Sequence, residues 1–380
     1  MTKINILHLT TFLQGGAGKV VVDLAKASKL LGHNVMVACT KEAVGDYHNY
    51  SEHIEKLKKL KVSLIFPGSL FSRDKESNLI AAQNLREKLG ETSPDIIHSH
   101  SATPSRVAKI YSSLASQRVP IIQTMHGWGS YKSINQEKDD VSILNEIEHV
   151  VSISESSLSL LKTKGFNAQD SSIIYNGIEK DESNTLSTND PDLQKIYDLK
   201  RDGIFVCGVV GTVDSRKNQR LVIQAVNKLP KSLKILFHII GEGHLIKELK
   251  ELSHKNEVSE KVEFLGYKKV ARQFIASFDL LISASRSEGG PPIALMEAFA
   301  EGTPVLVSDT PEHQEAVINN KTGFLFQDND SQNLANRIEE IIHQPRNECI
   351  KNARKVFEEN FRFSTTLHNY LNLYNQLLQK

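Results

Sequence analysis

Residues 280–298 read LLISASRSEGGPPIALMEA. Leu280–Ser283 is a short apolar run, too short for a helix, and fits a buried strand. Gly289 and Gly290 turn the chain, and Pro291 or Pro292 suits the first position of a helix. Ile293, Met296 and Ala300 then fall on one apolar face, with Glu297 beside it in the second turn. Strand, glycine loop and helix together make one βα unit. Its loop lies where open α/β sheets bind ligands, beyond the carboxyl end of a strand.

The same rhythm runs outward in both directions. Before it come the apolar runs Ile4–Leu9, Val35–Ala38, Val62–Phe66, Asp95–His98, Pro120–Thr124, Val150–Ile153 and Ser172–Tyr175, with helical patterns such as Ala17–Leu31, Lys75–Leu89 and Ser105–Ser116 between them. A polar stretch, EKDESNTLSTNDPDLQKIYDLKRD at 179–202, interrupts the alternation and reads as a linker. A second series follows: Ile204–Val210, Lys234–Ile240, Val262–Leu265, Leu280–Ser283, Pro304–Val307 and Gly323–Phe326. Residues 346–380 read as helix only. Strands that alternate with helices imply parallel sheets covered on both faces. The expectation is an α/β chain of two doubly wound domains, 1–178 and 203–360, with a closing helix at 361–380.

Composition excludes several classes. Of 380 residues, 39% are hydrophobic and 24% charged, as in ordinary globular chains, and the formal net charge is +1. Residues 1–180 hold 21 Lys and Arg against 18 Asp and Glu, and the rest 25 against 27, so neither half has a nucleic-acid footprint. Cys39, Cys207 and Cys349 fit neither a zinc site nor a disulfide framework. No signal peptide or membrane-length apolar run is present, so the default compartment is the cytoplasm.

Four loops after strands could carry chemistry. Gln14-Gly15-Gly16-Ala17-Gly18-Lys19 can present backbone N–H groups to a phosphate at a helix start, or be a plain tight turn. Leu13 and Val20 break the Walker pattern there, and Val21 breaks the dinucleotide fingerprint. His126, in Thr124-Met125-His126-Gly127-Trp128, stands at a strand end, as do His98 and His100; each fits a cleft wall or a structural role, and the cleft wall is the favoured reading for His98 and His100. Gly211-Thr212-Val213-Asp214-Ser215-Arg216-Lys217 puts two cations near a helix start, where the macrodipole disfavours them unless an anion also binds. In the fourth loop, amides near Gly289 and Gly290 suit a diphosphate, and the Glu297 carboxylate suits a pair of ribose hydroxyls. Glu288 stays on the loop.

These residues resemble glycosyltransferase family 4, the retaining group 1 glycosyltransferases of GT-B fold. The likeness runs through Gly15-Gly16, Gly32-His33, Asp95–His98, Thr124…Gly127, Ser152–Ser154, Tyr175–Ile178, Gly211…Asn218, Gly241-Glu242-Gly243, Val262–Gly266, Glu288…Glu297, Gly302–Val305 and Thr322-Gly323. It implies two Rossmann-like domains facing each other across a cleft. The N-terminal domain would bind the acceptor and the C-terminal one a nucleotide sugar, and the closing helix would cross back to the N-terminal domain. By the same resemblance, Lys217, Glu288 and His126 are the catalytic residues. Lys217 would hold the donor diphosphate, Glu297 the ribose and Glu288 the donor sugar. Gly289 and Gly290 would give backbone contacts, Gly16 with Gly15 would touch the diphosphate, and His126 would line the sugar pocket. Two departures stand out. Thr212 follows Gly211 where the family typically has Arg, with Arg216 as the candidate replacement. Eight residues rather than seven separate Glu288 from Glu297, so the reading leans on Glu297.

The implied reaction moves a hexosyl or N-acetylhexosaminyl group from a nucleoside-diphosphate sugar, with uridine as the expected base. The acceptor would be a sugar, glycan, lipid-linked or small molecule, in cell-surface polysaccharide or glycoconjugate synthesis. No metal and no cofactor is expected, and Lys217 with the loop amides takes the metal's part. The alternatives are a nucleotide-sugar 2-epimerase of the same architecture and a non-catalytic nucleotide-sugar-binding protein. Acceptor choice falls to the loops Gly68–Asp74 and Gly127–Asp140. The basic stretch Ile54–Val62 reads as a solvated helix face, with peripheral contact to the inner face of a membrane as the other option.

Overall fold

A computed structural model describes residues 3–115, 117–129, 132–167, 170–179 and 190–379. Among these described residues thirteen strands appear, all in parallel pairing. They are β1 Asn5–Leu9, β2 Asn34–Ala38, β3 Ser63–Ile65, β4 Ile96–Ser99, β5 Ile121–Met125, β6 His149–Ser152, β7 Ser171–Ile173, β8 Phe205–Val210, β9 Ile235–Ile240, β10 Val262–Gly266, β11 Leu280–Ser283, β12 Val305–Ser308 and β13 Phe324–Phe326. Each falls on a run read as a strand; the central ones are Ile- and Val-rich and buried on both sheet faces, whereas the edge strands β3 and β7 are shorter and only partly buried.

Chain contacts divide the molecule into two compact units: Met1–Asn176 with Thr366–Lys380, and Gly177–Thr365. The first contains a seven-stranded sheet in the order β3-β2-β1-β4-β5-β6-β7, and the second a six-stranded sheet in the order β10-β9-β8-β11-β12-β13. Both are doubly wound. Strand order reverses between β1 and β4 in the first unit and between β8 and β11 in the second, and loops beyond those carboxyl ends are the expected ligand sites. Each unit has its own apolar core. All three cysteines are buried and unpaired, and burial pushes the Cys39 thiol up to about 12.

Several local expectations change. Within the segment read as a linker, residues 180–189 lie outside the described residues, whereas Pro191–Arg201 forms a helix. Asp190 caps it by accepting from the Asp192 amide, Pro191 stands at its start, and Leu193 and Ile196 are buried. The helix expected at Ser105–Ser116 starts earlier, as Ala102–Leu114, because the chain becomes helical directly after β4; Ser116 lies outside the described residues. The C-terminal stretch is not continuous helix. Asn347–Val356 passes into a π turn at Phe357–Phe361, and Arg362 is extended (φ −73°, ψ 136°). There the chain brackets Ile178 through Ile178 N–H to Phe361 O at 2.9 Å and Phe363 N–H to Ile178 O at 3.0 Å. The last helix, Phe363–Leu378, carries Tyr370 and Tyr374 into the interior of the first unit. Among the described residues no helix is long and apolar enough to cross a membrane.

Candidate active site

In the second unit two post-strand loops meet. After β8, Gly211–Asn218 makes a turn in which the Lys217 amide donates to Asp214 Oδ1 at 2.8 Å. Gly211 (φ 148°) leaves room for the Lys217 stem, which would lie 3.2 Å from a Cβ there. The neighbouring loop Gly241–Gly243 lies against this turn. A Cβ on Gly243 would stand 2.1 Å from Val213 O, so glycine is required for the approach. After β11 the chain brings Glu288 back. Its Oε1 is 2.5 Å from Lys217 Nζ and its Oε2 is 2.7 Å from Arg216 Nη1. The Glu288 side chain is 10% exposed and that of Lys217 17%. Burial alone would raise the Glu288 carboxyl, but Lys217 and then Arg216 overcome it and hold the group below the ordinary carboxylate value.

The helix after this loop is Ile293–Glu301. Pro292 is its N-cap (φ −61°, ψ 146°), so neither proline takes the first helical position. No side chain caps it. Its buried face is Leu295, Met296, Ala298 and Phe299, while Ile293 and Ala300 are only partly buried. The expected stripe of Ile293, Met296 and Ala300 is therefore off by about one position. Glu297 is partly buried in the second turn, Gly290 is buried, Gly289 is partly exposed and Thr212 is exposed. Arg216 shares the Glu288 carboxylate with Lys217, where Thr212 supplies no cation.

His313 escaped the sequence reading. It is buried in the short helix Pro311–Gln314 after β12, with Nε2 3.1 Å from Ser283 Oγ and Nδ1 3.0 Å from Ser308 O. Burial lowers it to about 4, although the nearby Glu288 charge pulls the other way. The signal available was Thr310-Pro311, a helix start directly after a strand.

In the first unit, Gly15 and Gly16 are exposed at the start of the helix Gly15–Leu30. Gly15 has φ 60°, while a Cβ on Gly16 would meet nothing within 4 Å. The histidines behave differently from one another. His98 is buried, with Nδ1 2.7 Å from Tyr374 Oη and Nε2 2.7 Å from Thr124 Oγ1, so it is an interior residue and not a cleft wall. His8, His98 and His100 nitrogens lie close enough to suit a metal, but both His98 nitrogens already have these partners. His8 Nδ1 lies 3.1 Å from His100 Nε2, and His100 Nδ1 lies 3.0 Å from His126 Nε2. Burial lowers His8 to about 3, His126 to about 4 and His100 well below its usual value, so all three rings are neutral near pH 7.

The outer nitrogens, His8 Nε2 and His126 Nδ1, have no protein partner. One of them must carry a proton. His8 is fully buried, whereas His126 is partly exposed and lines a cavity of about 620 Å³. Both nitrogens are themselves buried, but only His126 borders a cavity whose occupant an N–H could meet, which favours the proton on His126 Nδ1. The relay then runs His8 Nδ1–H to His100 Nε2, and His100 Nδ1–H to His126 Nε2. A larger cavity, about 770 Å³, opens at the amino ends of β4–β6 and holds none of these residues.

Residues 14–182 match the family model described as Glycosyltransferase Family 4, and residues 193–356 match that described as Glycosyl transferases group 1. The chain belongs to the group 1 glycosyltransferases. This transferase is 25% identical to the O-antigen biosynthesis glycosyltransferase WclY of Escherichia coli over 80% of the chain and 85% of the relative. It is 26% identical to the UDP-Gal:alpha-D-GlcNAc-diphosphoundecaprenol alpha-1,3-galactosyltransferase of Escherichia coli over 74% and 75%. The crystal structure of Anabaena HepE in complex with UDP superposes with a TM-score of 0.81 at 21% identity, covering 98% of this chain and all of that one. The transferase thus has the GT-B fold, and its relatives serve polysaccharide and O-antigen synthesis.

Proposed function

We propose that this transferase moves a hexosyl or N-acetylhexosaminyl group from a UDP-linked sugar to a glycan, lipid-linked or small-molecule acceptor in cell-surface polysaccharide or glycoconjugate synthesis, with retention at the anomeric carbon. The observation that carries the reading is the convergence of Lys217 and Arg216 on Glu288 beside the uncapped start of the helix Ile293–Glu301. The reaction breaks the bond from the anomeric carbon to the diphosphate, and negative charge gathers on the leaving oxygen. Lys217, Arg216 and the helix amides are fixed before the reaction and stabilise that charge without a metal. Glu297 accepts the ribose hydroxyls and Glu288 bonds the donor sugar. No protein nucleophile takes part: the leaving phosphate receives the acceptor's proton on the same face. HepE binds UDP and the galactosyltransferase is named for UDP-galactose, which supports uridine as the base. Three unpaired buried cysteines support action in the cytoplasm.

Product analysis tests this reading. Purified enzyme with a panel of UDP sugars and acceptors should release UDP and form a new glycoside in chelator. A sugar altered but still on its nucleotide would mean epimerisation. Lys217→Ala should lower transfer by ~10²–10³-fold with the melting curve intact. An unchanged rate would remove Lys217 from the mechanism.

A further inference from the structure

The cavity of about 620 Å³ lies wholly within the first unit and carries its own charge pattern. Asp140, 3% exposed, is gripped by Arg73 through two bonds of 2.6 and 2.9 Å and by Lys132 Nζ at 2.9 Å. Among the described residues these three are the only charged ones that line it, two positive and one negative. Lys132 is also held 3.9 Å above the Trp128 ring. The 13-residue helix Ala102–Leu114 begins at this wall, and its N-cap Ser101 makes no capping bond. Ser101 Oγ and His126 Nδ1 are enclosed polar atoms without a protein partner, and both residues line the same space. Two enclosed polar atoms without a protein partner on one cavity wall mark the side that a hydroxyl or a water would bond.

We propose that this cavity is the acceptor site and that it selects an acceptor bearing a negative group, a carboxylate or a phosphate, beside its sugar hydroxyls. The anion pairs with the surplus charge of Arg73 and Lys132 and with the positive end of the helix Ala102–Leu114. Lys132, 18% exposed, pairs more strongly there than it would in open water, whereas Arg73 is 32% exposed. A hydroxyl bonds Ser101 Oγ and the His126 Nδ1–H, and the Trp128 face covers part of the sugar ring. Arg73 and Asp140 also staple the segment 68–74 to the helix Ile134–Leu144, which fixes that part of the wall. The proposal rests on the transferase reading for its claim that the occupant is an acceptor.

Trp128 is the only tryptophan in the chain, so its fluorescence reports binding here without any turnover. The full-length protein is titrated with methyl β-D-glucoside, methyl β-D-glucuronide and glucose 6-phosphate. At least one charged probe should bind about tenfold or more tighter than the neutral one, with the preference shrinking as salt rises. Whether glucuronide or phosphate leads tells carboxylate from phosphate. Arg73→Gln should abolish the preference, and Lys132→Gln provides the same reading if the first variant does not fold. Equal affinity for all probes, no response to any, or a preference that survives both substitutions overturns the proposal. Charge-selective binding with no transfer from any nucleotide sugar leaves an anion-selective sugar site and removes the transferase reading instead.

Discussion

Glu288 Oε1 lies 2.5 Å from Lys217 Nζ, and the pair spans the point where strand order reverses between β8 and β11. The two loops leave neighbouring strands, so residues 71 apart in sequence become partners. An incoming diphosphate must compete with Glu288 for Lys217 and Arg216. Glu288→Gln removes that competing charge. UDP should then bind several-fold tighter by calorimetry, roughly the value of one screened charge pair, while sugar transfer falls. Weaker UDP binding in this variant would contradict the competition.

The polarity of the imidazole relay can be read directly. His8→Asn keeps a donor against His100 Nε2, whereas His8→Asp presents an acceptor and reverses the chain. Long-range ¹H–¹⁵N spectra should show His126 protonated on Nδ1 in the wild type and in His8→Asn, and on Nε2 in His8→Asp. His8→Asp should also raise a Michaelis constant more than it lowers turnover. A wild-type His126 protonated on Nε2 disproves the assignment.

Glycines with similar sequence context should differ sharply in what they tolerate. Gly243→Ala forces a Cβ against Val213 O and should cost about 1–3 kcal/mol, as overpacking does. It should also displace the Lys217 turn and weaken donor binding. Gly16→Ala has free space and should shift stability by no more than ~0.5 kcal/mol. Its effect should appear in the donor Michaelis constant alone. Thermal melts and donor saturation curves on both variants provide the check.

Acid should loosen the fold well before its carboxylates titrate. His8, His98, His100, His126 and His313 all have folded values below their ordinary 6.5. Below pH 6.5 the unfolded chain therefore binds more protons than the native one, and stability falls as pH drops towards the folded values of about 3 to 4. Each group contributes about 1.4 kcal/mol per pH unit in that window. Urea midpoints at pH 7.5 and 5.5 should differ clearly, and equal midpoints would show that these rings are not neutral in the native state.

The sequence by itself determined the two parallel sheets, since Ile- and Val-rich runs such as Leu280–Ser283 and Val305–Val307 have the length and composition of doubly buried strands. It also marked Lys217, Glu288 and Glu297 as site residues, because glycine turns and charges at helix starts are local signals. Distances across the fold were not legible. The extra residue before Glu297 made Glu288 look the less secure of the two carboxylates, yet Glu288 reaches both cations. Nothing local distinguishes His98, locked to Tyr374 from 276 residues away, from His100 and His126, which line a cavity. Nor does spacing reveal that Arg73 and Asp140 meet. A hydrogen bond or ion pair depends on where strand order and helix packing set two side chains in space, and only the tertiary structure decides that.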